Sequence, residues 1–211
     1  MIEKFNKVLV LAPHTDDGEL GAGGTIAKMI DAGVKVYYAA FSTAEESVPE
    51  GFEKNILKSE VKEATKRLGI LPEHLFIFNY QVRKLNYVRQ EILEELVKIR
   101  NQEKFDLILM PSLNDIHQDH KVIAEEGLRA FKFNSIWGYE LIWNNLTFNT
   151  QCFVKLEEEF VHRKIDALAA YKSQNHRDYM SAEFIKAHAR TRGVQIGAKY
   201  AESFEVIRSV F

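Results

Sequence analysis

Short apolar, β-rich runs alternate along the chain with longer stretches whose apolar positions recur at helical spacing. Residues 7–12 (Lys-Val-Leu-Val-Leu-Ala) form one such run. The segment 18–33 that follows repeats its apolar residues every three or four positions before Gly33. This predicts a strand, a polar loop and a helix. Further strands are expected at 34–42, 74–79, 106–112 and 135–143, and helices near 53–68, 87–101, 120–132, 157–171 and 181–190. Such alternation predicts an α/β fold, a Rossmann-like three-layer arrangement around a mostly parallel sheet, with residues 1–211 as a single domain. In an open parallel sheet the loops after strand C-termini share one edge, and ligands bind where the strand order switches. The polar loops 13–19, 42–50 and 112–120 are therefore expected to meet in one cleft.

Composition narrows the partners. The 211 residues are 46% apolar and 27% charged, ordinary for a protein with a substantial core. The formal net charge of -2, from 28 basic and 30 acidic residues spread along the chain, gives no electrostatic case for nucleic acid or an anionic membrane. Small molecules or other subunits, including copies of the same chain, are the expected partners. With Cys152 alone an intramolecular disulfide is ruled out. The start Met-Ile-Glu-Lys-Phe-Asn-Lys sets charges too close to a short apolar run for a signal peptide. No apolar stretch approaches the ~20 residues of a membrane span. A cytoplasmic protein without integral membrane insertion is expected.

The first loop carries Pro13-His14-Thr15-Asp16-Asp17, an imidazole and two carboxylates within four residues. Adjacent carboxylates repel, and a cation is the simplest device that keeps both ionised beside a neutral imidazole. Capping of the next helix would account for one aspartate but not for all three groups. The loop after the strand at 106–112 carries Asp115-Ile116-His117-Gln118-Asp119-His120. A histidine from this loop, His14 and one aspartate make two nitrogens and one oxygen with an open position, a donor set typical of catalytic zinc. The glycines at 18, 21, 23 and 24 offer no register for G-x-G-x-x-G, so a dinucleotide site is rejected; close helix-to-sheet packing or a close approach near the metal accounts for them. The aromatic residues of 76–80 and 136–143 are expected in the core.

These motifs, the Pro-His-Thr-Asp-Asp loop with its Gly-rich helix start and the later His-Gln-Asp-His, resemble the PIG-L/LmbE family of zinc-dependent N-acetylglucosaminyl deacetylases. The family's common first motif, A-H-P-D-D-E, keeps its spacing here, although Pro13, Thr15 and Gly18 depart from it. The resemblance implies a deacetylase of an N-acetylated sugar or sugar conjugate. It also implies zinc on His14, Asp17 and His120, Asp16 as general base, a protonated His117 stabilising the oxyanion, and Asp119 orienting His117. Residues 57–70 and 199–205 resemble two further family segments. In the first, Leu57 stands where many members carry an arginine, with Lys58 beside it as a substitute substrate-binding cation. Two rival readings remain. A metal-dependent hydrolase of another amide or of a phosphoester would use the same metal, though no arginine or lysine clamp for a phosphoester is apparent. A receiver-like module would pair carboxylates around magnesium, but has no use for His14 or His120.

Overall fold

The computed structural model describes residues 2–210. Its first half alternates as the pattern predicts: β1 (Lys7–His14), α1 (Asp17–Asp31), β2 (Lys35–Ser42), α2 (Ile56–Leu68), β3 (Leu75–Ile77), α3 (Arg89–Gln102), β4 (Leu107–Pro111), α4 (Gln118–Ala130) and β5 (Ser135–Tyr139). The second half adds β6 (Cys152–Leu156), α5 (Glu158–Leu168), α6 (Ala182–Val194) and β7 (Tyr200–Arg208). One seven-stranded sheet runs in the order β3-β2-β1-β4-β5-β7-β6. The pairs among β1 to β5 are parallel, while β7 runs antiparallel to both β5 and β6. Among the described residues no helix is long and apolar enough to cross a membrane.

The apolar runs of β1, β2 and β4 are continuous because both faces of these strands are buried. Val8, Val10 and Ala12 point into one core with Val36, Tyr38, Leu107 and residues of α1, α2 and α5. Leu9 and Leu11 point into the other, with Tyr37, Phe41, Ile108 and residues of α3 and α4. The period of two in each strand thus sorts its side chains between the two helical layers.

The strand order reverses between β1 and β4. Only Val8–Val10 of β1 pair with β4, whereas β1 stays paired with β2 as far as His14. Beyond Val10 the first and fourth strands part, and their C-terminal loops flank a crevice at the switch point.

Departures from the pattern concentrate in the second half. The strand expected to reach 143 stops at Tyr139, because the chain turns where Asn144 and Asn145 N–H donate to the Leu141 carbonyl at 2.8 and 3.1 Å. The helix expected to reach 171 ends at Leu168 and is followed by a 3-10 turn, Lys172–Gln174. Strands β6 and β7 carry no clear alternation, since β7 is buried along most of its length and β6 is a five-residue edge strand.

The C-terminal segment 199–205 explains itself through α1. The buried carboxylate of Glu202 accepts the Gly24 and Thr25 N–H at 3.1 and 2.7 Å, and the buried Lys164 ammonium donates both to Glu202 and to the Leu20 carbonyl, each at 2.7 Å. An ion pair from α5 and β7 therefore engages backbone groups in the middle of α1. Such insertion demands small residues: a Cβ on Gly24 would lie 2.5 Å from Leu156, and one on Gly21 2.3 Å from the Tyr139 ring. Tyr139 is fully buried, and its hydroxyl donates to the Leu11 carbonyl at 2.9 Å, so it has no room to retreat. Gly21→Ala should lower stability by about 1–3 kcal/mol through overpacking, a fall in Tm of several degrees in a thermal melt. An unchanged Tm would show that the helix can lift off the sheet freely.

Candidate functional site

His14 closes β1 and Asp17 opens α1, while His117 and His120 bracket the start of α4. The crevice between β1 and β4 thus receives groups from both loops. Asp17 turns its carboxylate back to accept the His14 N–H at 2.8 Å, and Asp16, at the N-cap position, makes no side-chain cap bond. Neither aspartate is spent on capping. The lip of α1 is braced from below, where Tyr38 and Tyr171 hydroxyls donate to the Thr15 carbonyl at 2.9 and 2.7 Å.

Three donor atoms converge. His14 Nδ1 lies 3.1 Å from Asp17 Oδ2, His120 Nε2 lies 3.2 Å from the same oxygen, and the two nitrogens are 3.2 Å apart. A tetrahedral ion with bonds of about 2.0 Å holds its ligand atoms about 3.3 Å apart, so the triangle fits a small divalent cation such as zinc. The imidazoles of His14, His117 and His120 also present nitrogens within 4.8 Å of one another, a group able to hold a metal ion. The His117 ring stacks on that of His120 at 4.3 Å.

Each of the two converging imidazoles is held from behind by a carboxylate. His14 Nε2 lies 3.0 Å from Asp119 Oδ2, and His120 Nδ1 lies 2.8 Å from Asp115 Oδ2. Once each imidazole is neutral, a proton on its outer nitrogen leaves the lone pairs of His14 Nδ1 and His120 Nε2 directed at the shared centre. The expected pairing of Asp119 with His117 is therefore corrected. Only the Asp119 N–H reaches His117, donating to Nδ1 at 3.2 Å, while its carboxylate serves His14 and accepts the Arg83 and Leu85 N–H at 2.6 and 3.3 Å. Asp115, which no sequence motif singled out, also accepts the His117 N–H at 2.8 Å.

The electrostatics reflect this crowding. Burial opposes charge on both imidazoles, but Asp17 and the carboxylate behind each outweigh it, raising His14 to about 9 and His120 to about 10. Asp17 is held well below the usual carboxylate range: burial opposes ionisation, and the His120 and His14 charges prevail. Asp16 moves the other way, to about 6, pushed by burial and by the neighbouring Asp17 charge. Burial and the His120 and His14 charges lower His117 to about 4. This direction favours the neutral ring over the expected protonated one, and a neutral ring whose Nδ1 accepts a backbone N–H carries its proton on Nε2.

These groups adjoin a cleft of about 380 Å³. Its walls include residues from the loop after β2 and from two segments whose pattern suggests core or plain surface. Trp143 follows β5, lines the cleft and stacks on Tyr179 at 4.0 Å with an interplanar angle of 10°. Arg83 and Arg177 are also in the lining, so the cleft does contain guanidinium groups. Leu57 lines the wall, whereas Lys58 is exposed and outside the lining. Of the segment 171–174, Gln174 reaches the cleft whereas Tyr171 is buried beneath it. These groups are hard to find in the sequence, because they sit singly on turns without a motif.

Comparison with known proteins gives consistent matches. The family model PIG-L, described as GlcNAc-PI de-N-acetylase, matches residues 9–131. The diacetylchitobiose deacetylase of Thermococcus kodakarensis is 25% identical over 99% of this chain and 87% of its own length. The solved N,N'-diacetylchitobiose deacetylase of Pyrococcus horikoshii superposes with a TM-score of 0.83 at 24% identity, covering 98% of this chain and 85% of that one. The 4-carboxy-2-hydroxymuconate hydratase GalB of Pseudomonas putida reaches the same TM-score of 0.83 at 17% identity, over 98% of both chains. The fold alone therefore does not name a reaction.

Metal binding should be proton-linked. With His14 and His120 raised to about 9 and about 10, both imidazoles are protonated at pH 7 and must each lose a proton to bind a cation. Affinity should rise with pH, by up to about two log units per pH unit between pH 7 and 9. Chelator competition at several pH values measures this, and a flat profile would contradict it. Asp119→Ala and Asp115→Ala should each weaken metal affinity by about 10–100-fold in the same assay.

Proposed function

The chain belongs to the PIG-L family of de-N-acetylases, and from that membership and the cleft geometry we propose that it is a zinc-dependent hydrolase removing the acetyl group from an N-acetylated sugar or sugar conjugate. The observation that carries the reading is the triangle of His14 Nδ1, Asp17 Oδ2 and His120 Nε2, with edges of 3.1–3.2 Å, beside two side chains positioned for proton transfer and hydrogen bonding. In this proposal His14, Asp17 and His120 hold zinc, and His117 faces the substrate.

Amide hydrolysis needs an activated water, a stabilised oxyanion and a proton for the departing amine. Bound zinc would polarise the acetyl carbonyl and make water acidic enough to react near neutral pH. Asp16 lines the cleft, and its carboxylate makes no hydrogen bond to another side chain among the described residues. It takes the proton from the attacking water and returns it to the nitrogen as the C–N bond breaks. Burial and the neighbouring Asp17 charge raise its proton affinity, the direction needed by a base that must also return the proton. His117 donates Nε2–H to the acetyl oxygen as negative charge develops there. Because it acts as a neutral donor, no protonated imidazole is needed. Asp119 and Asp115 touch no substrate; they orient His14 and His120.

The rival receiver-like module is disfavoured by the two imidazole lone pairs at the centre, since magnesium prefers oxygen ligands. Zinc-reconstituted protein should release free amine from N-acetylglucosamine or its conjugates, and no release from any of a broad panel would overturn the proposal. Asp16→Asn should keep its zinc while turnover falls by about two orders of magnitude or more. His117→Ala should also keep zinc, with KM nearly unchanged and kcat lower by about a hundredfold. Loss of zinc in His117→Ala would instead make it a ligand, and wild-type kcat would remove it from the mechanism.

A further inference from the structure

We propose that Arg177 is the substrate-reading cation of the cleft, and that the preferred substrate carries an oxyanion substituent, a carboxylate or a phosphate, which Arg177 binds. The inference rests on the deacetylase reading above and extends it to specificity.

The wall formed by α2 offers no charge to a substrate, since Leu57 faces the cleft and Lys58 stays outside. The cations come instead from two turns. Arg177 is half-buried, and one of its terminal nitrogens donates to the Tyr179 hydroxyl. Its guanidinium carbon stands 5.7 Å from the centre of the Tyr179 ring, which itself stacks on Trp143. Packing and the Tyr179 hydrogen bond fix the side chain. Its Nε–H is nevertheless buried without a hydrogen-bond partner among the described residues. Leaving such a donor unmatched is costly, so this guanidinium is not placed for its protein contacts alone.

Charge points the same way. Among the described residues neither Arg177 nor Arg83 forms an ion pair, whereas Arg192 is bound to Glu140 by two nitrogens. Arg83 spends one nitrogen on the Ser47 hydroxyl at 2.7 Å. It adopts a left-handed backbone, φ 65°, with its N–H tied to Asp119 at 2.6 Å, which holds its Cα beside the cleft. Asp16 and Asp17 face Arg177 electrostatically but accept no hydrogen bond from it. Sugar hydroxyls need no full cation, while the planar fork of a guanidinium matches carboxylate and phosphate oxygens. The side of Arg177 facing the cleft is thus set for an anionic substituent of the substrate.

The two tryptophans make binding readable without turnover. Trp143 stacks on the ring that carries Arg177, while Trp137 is buried in the core and 7% exposed. Zinc-loaded protein is titrated with methyl N-acetylglucosaminide, with N-acetylglucosamine 1-phosphate and with the N-acetylglucosaminide of glycolic acid, following Trp143 fluorescence, and kcat/KM is measured for each. At least one anionic ligand should bind about tenfold or more tightly than the neutral one at low ionic strength, with the advantage shrinking as salt rises. Whichever anion is preferred identifies carboxylate or phosphate as the source. Arg177→Gln should reduce the anionic-to-neutral ratio to within about twofold, and Arg177→Lys, a control for folding and for charge, should keep part of it. Equal affinities in the wild type overturn the proposal. So does a preference that survives Arg177→Gln, as an anion held by the metal alone would give. If anions are preferred but no ligand releases amine, the deacetylase reading fails instead; if all release amine at equal efficiency and Arg177→Gln changes nothing, only the inference on Arg177 fails.

Discussion

Three buried aspartates, at positions 17, 115 and 119, crowd around two imidazoles, and enclosing that much negative charge is tolerable only if the carboxylates find donors. The donors found are largely backbone amides: His14 N–H for Asp17, His117 N–H for Asp115, and the Arg83 and Leu85 N–H for Asp119. Each of these bonds ties one loop to itself or to another. The loops after β1, β3 and β4 are consequently positioned by the same interactions that balance the charge. The charge still unbalanced falls on His14 and His120, whose raised proton affinity is what a bound cation would replace.

The alternating pattern makes the first five strands and four helices legible, because strands buried on both faces read as continuous apolar runs and the helices beside them as amphipathic ones. The His-Asp clusters are legible for a related reason: a loop with that density of ionisable groups has few structural uses. The partners of the individual imidazoles are not. Asp119 sits two residues after His117 yet serves His14 across the cleft, since the first turn of α4 rotates its side chain away from its near neighbour in sequence. The aromatic run before residue 143 divides between two fates. Trp137 and Tyr139 are core, but the turn at Leu141 carries Trp143 out to the cleft wall. Turns of this kind are set by tertiary hydrogen bonds, and local pattern carries little trace of them.

The two sides of the cleft differ in how they are built. The metal-facing side stands on strand ends and helix starts, whose backbone is fixed by the sheet. The opposite side, with Arg177, Tyr179 and Trp143, stands on short turns joined by aromatic stacking. A rigid reacting centre facing a wall of exchangeable turns lets the bound molecule change while the chemistry is kept.

Glu202 and Gly24 are 178 residues apart in the chain, yet the amide of one closes on the carboxylate of the other in the middle of the helix that begins at the site. The space against the glycines of α1 is filled by Tyr38, Tyr139, Leu156, Lys164 and Glu202, side chains from five different elements. The middle of α1 is therefore set by β7, the strand that lies between β5 and β6. The floor under the site is thus laid by residues from opposite ends of the described chain, and the site's shape depends on contacts that local structure alone cannot form.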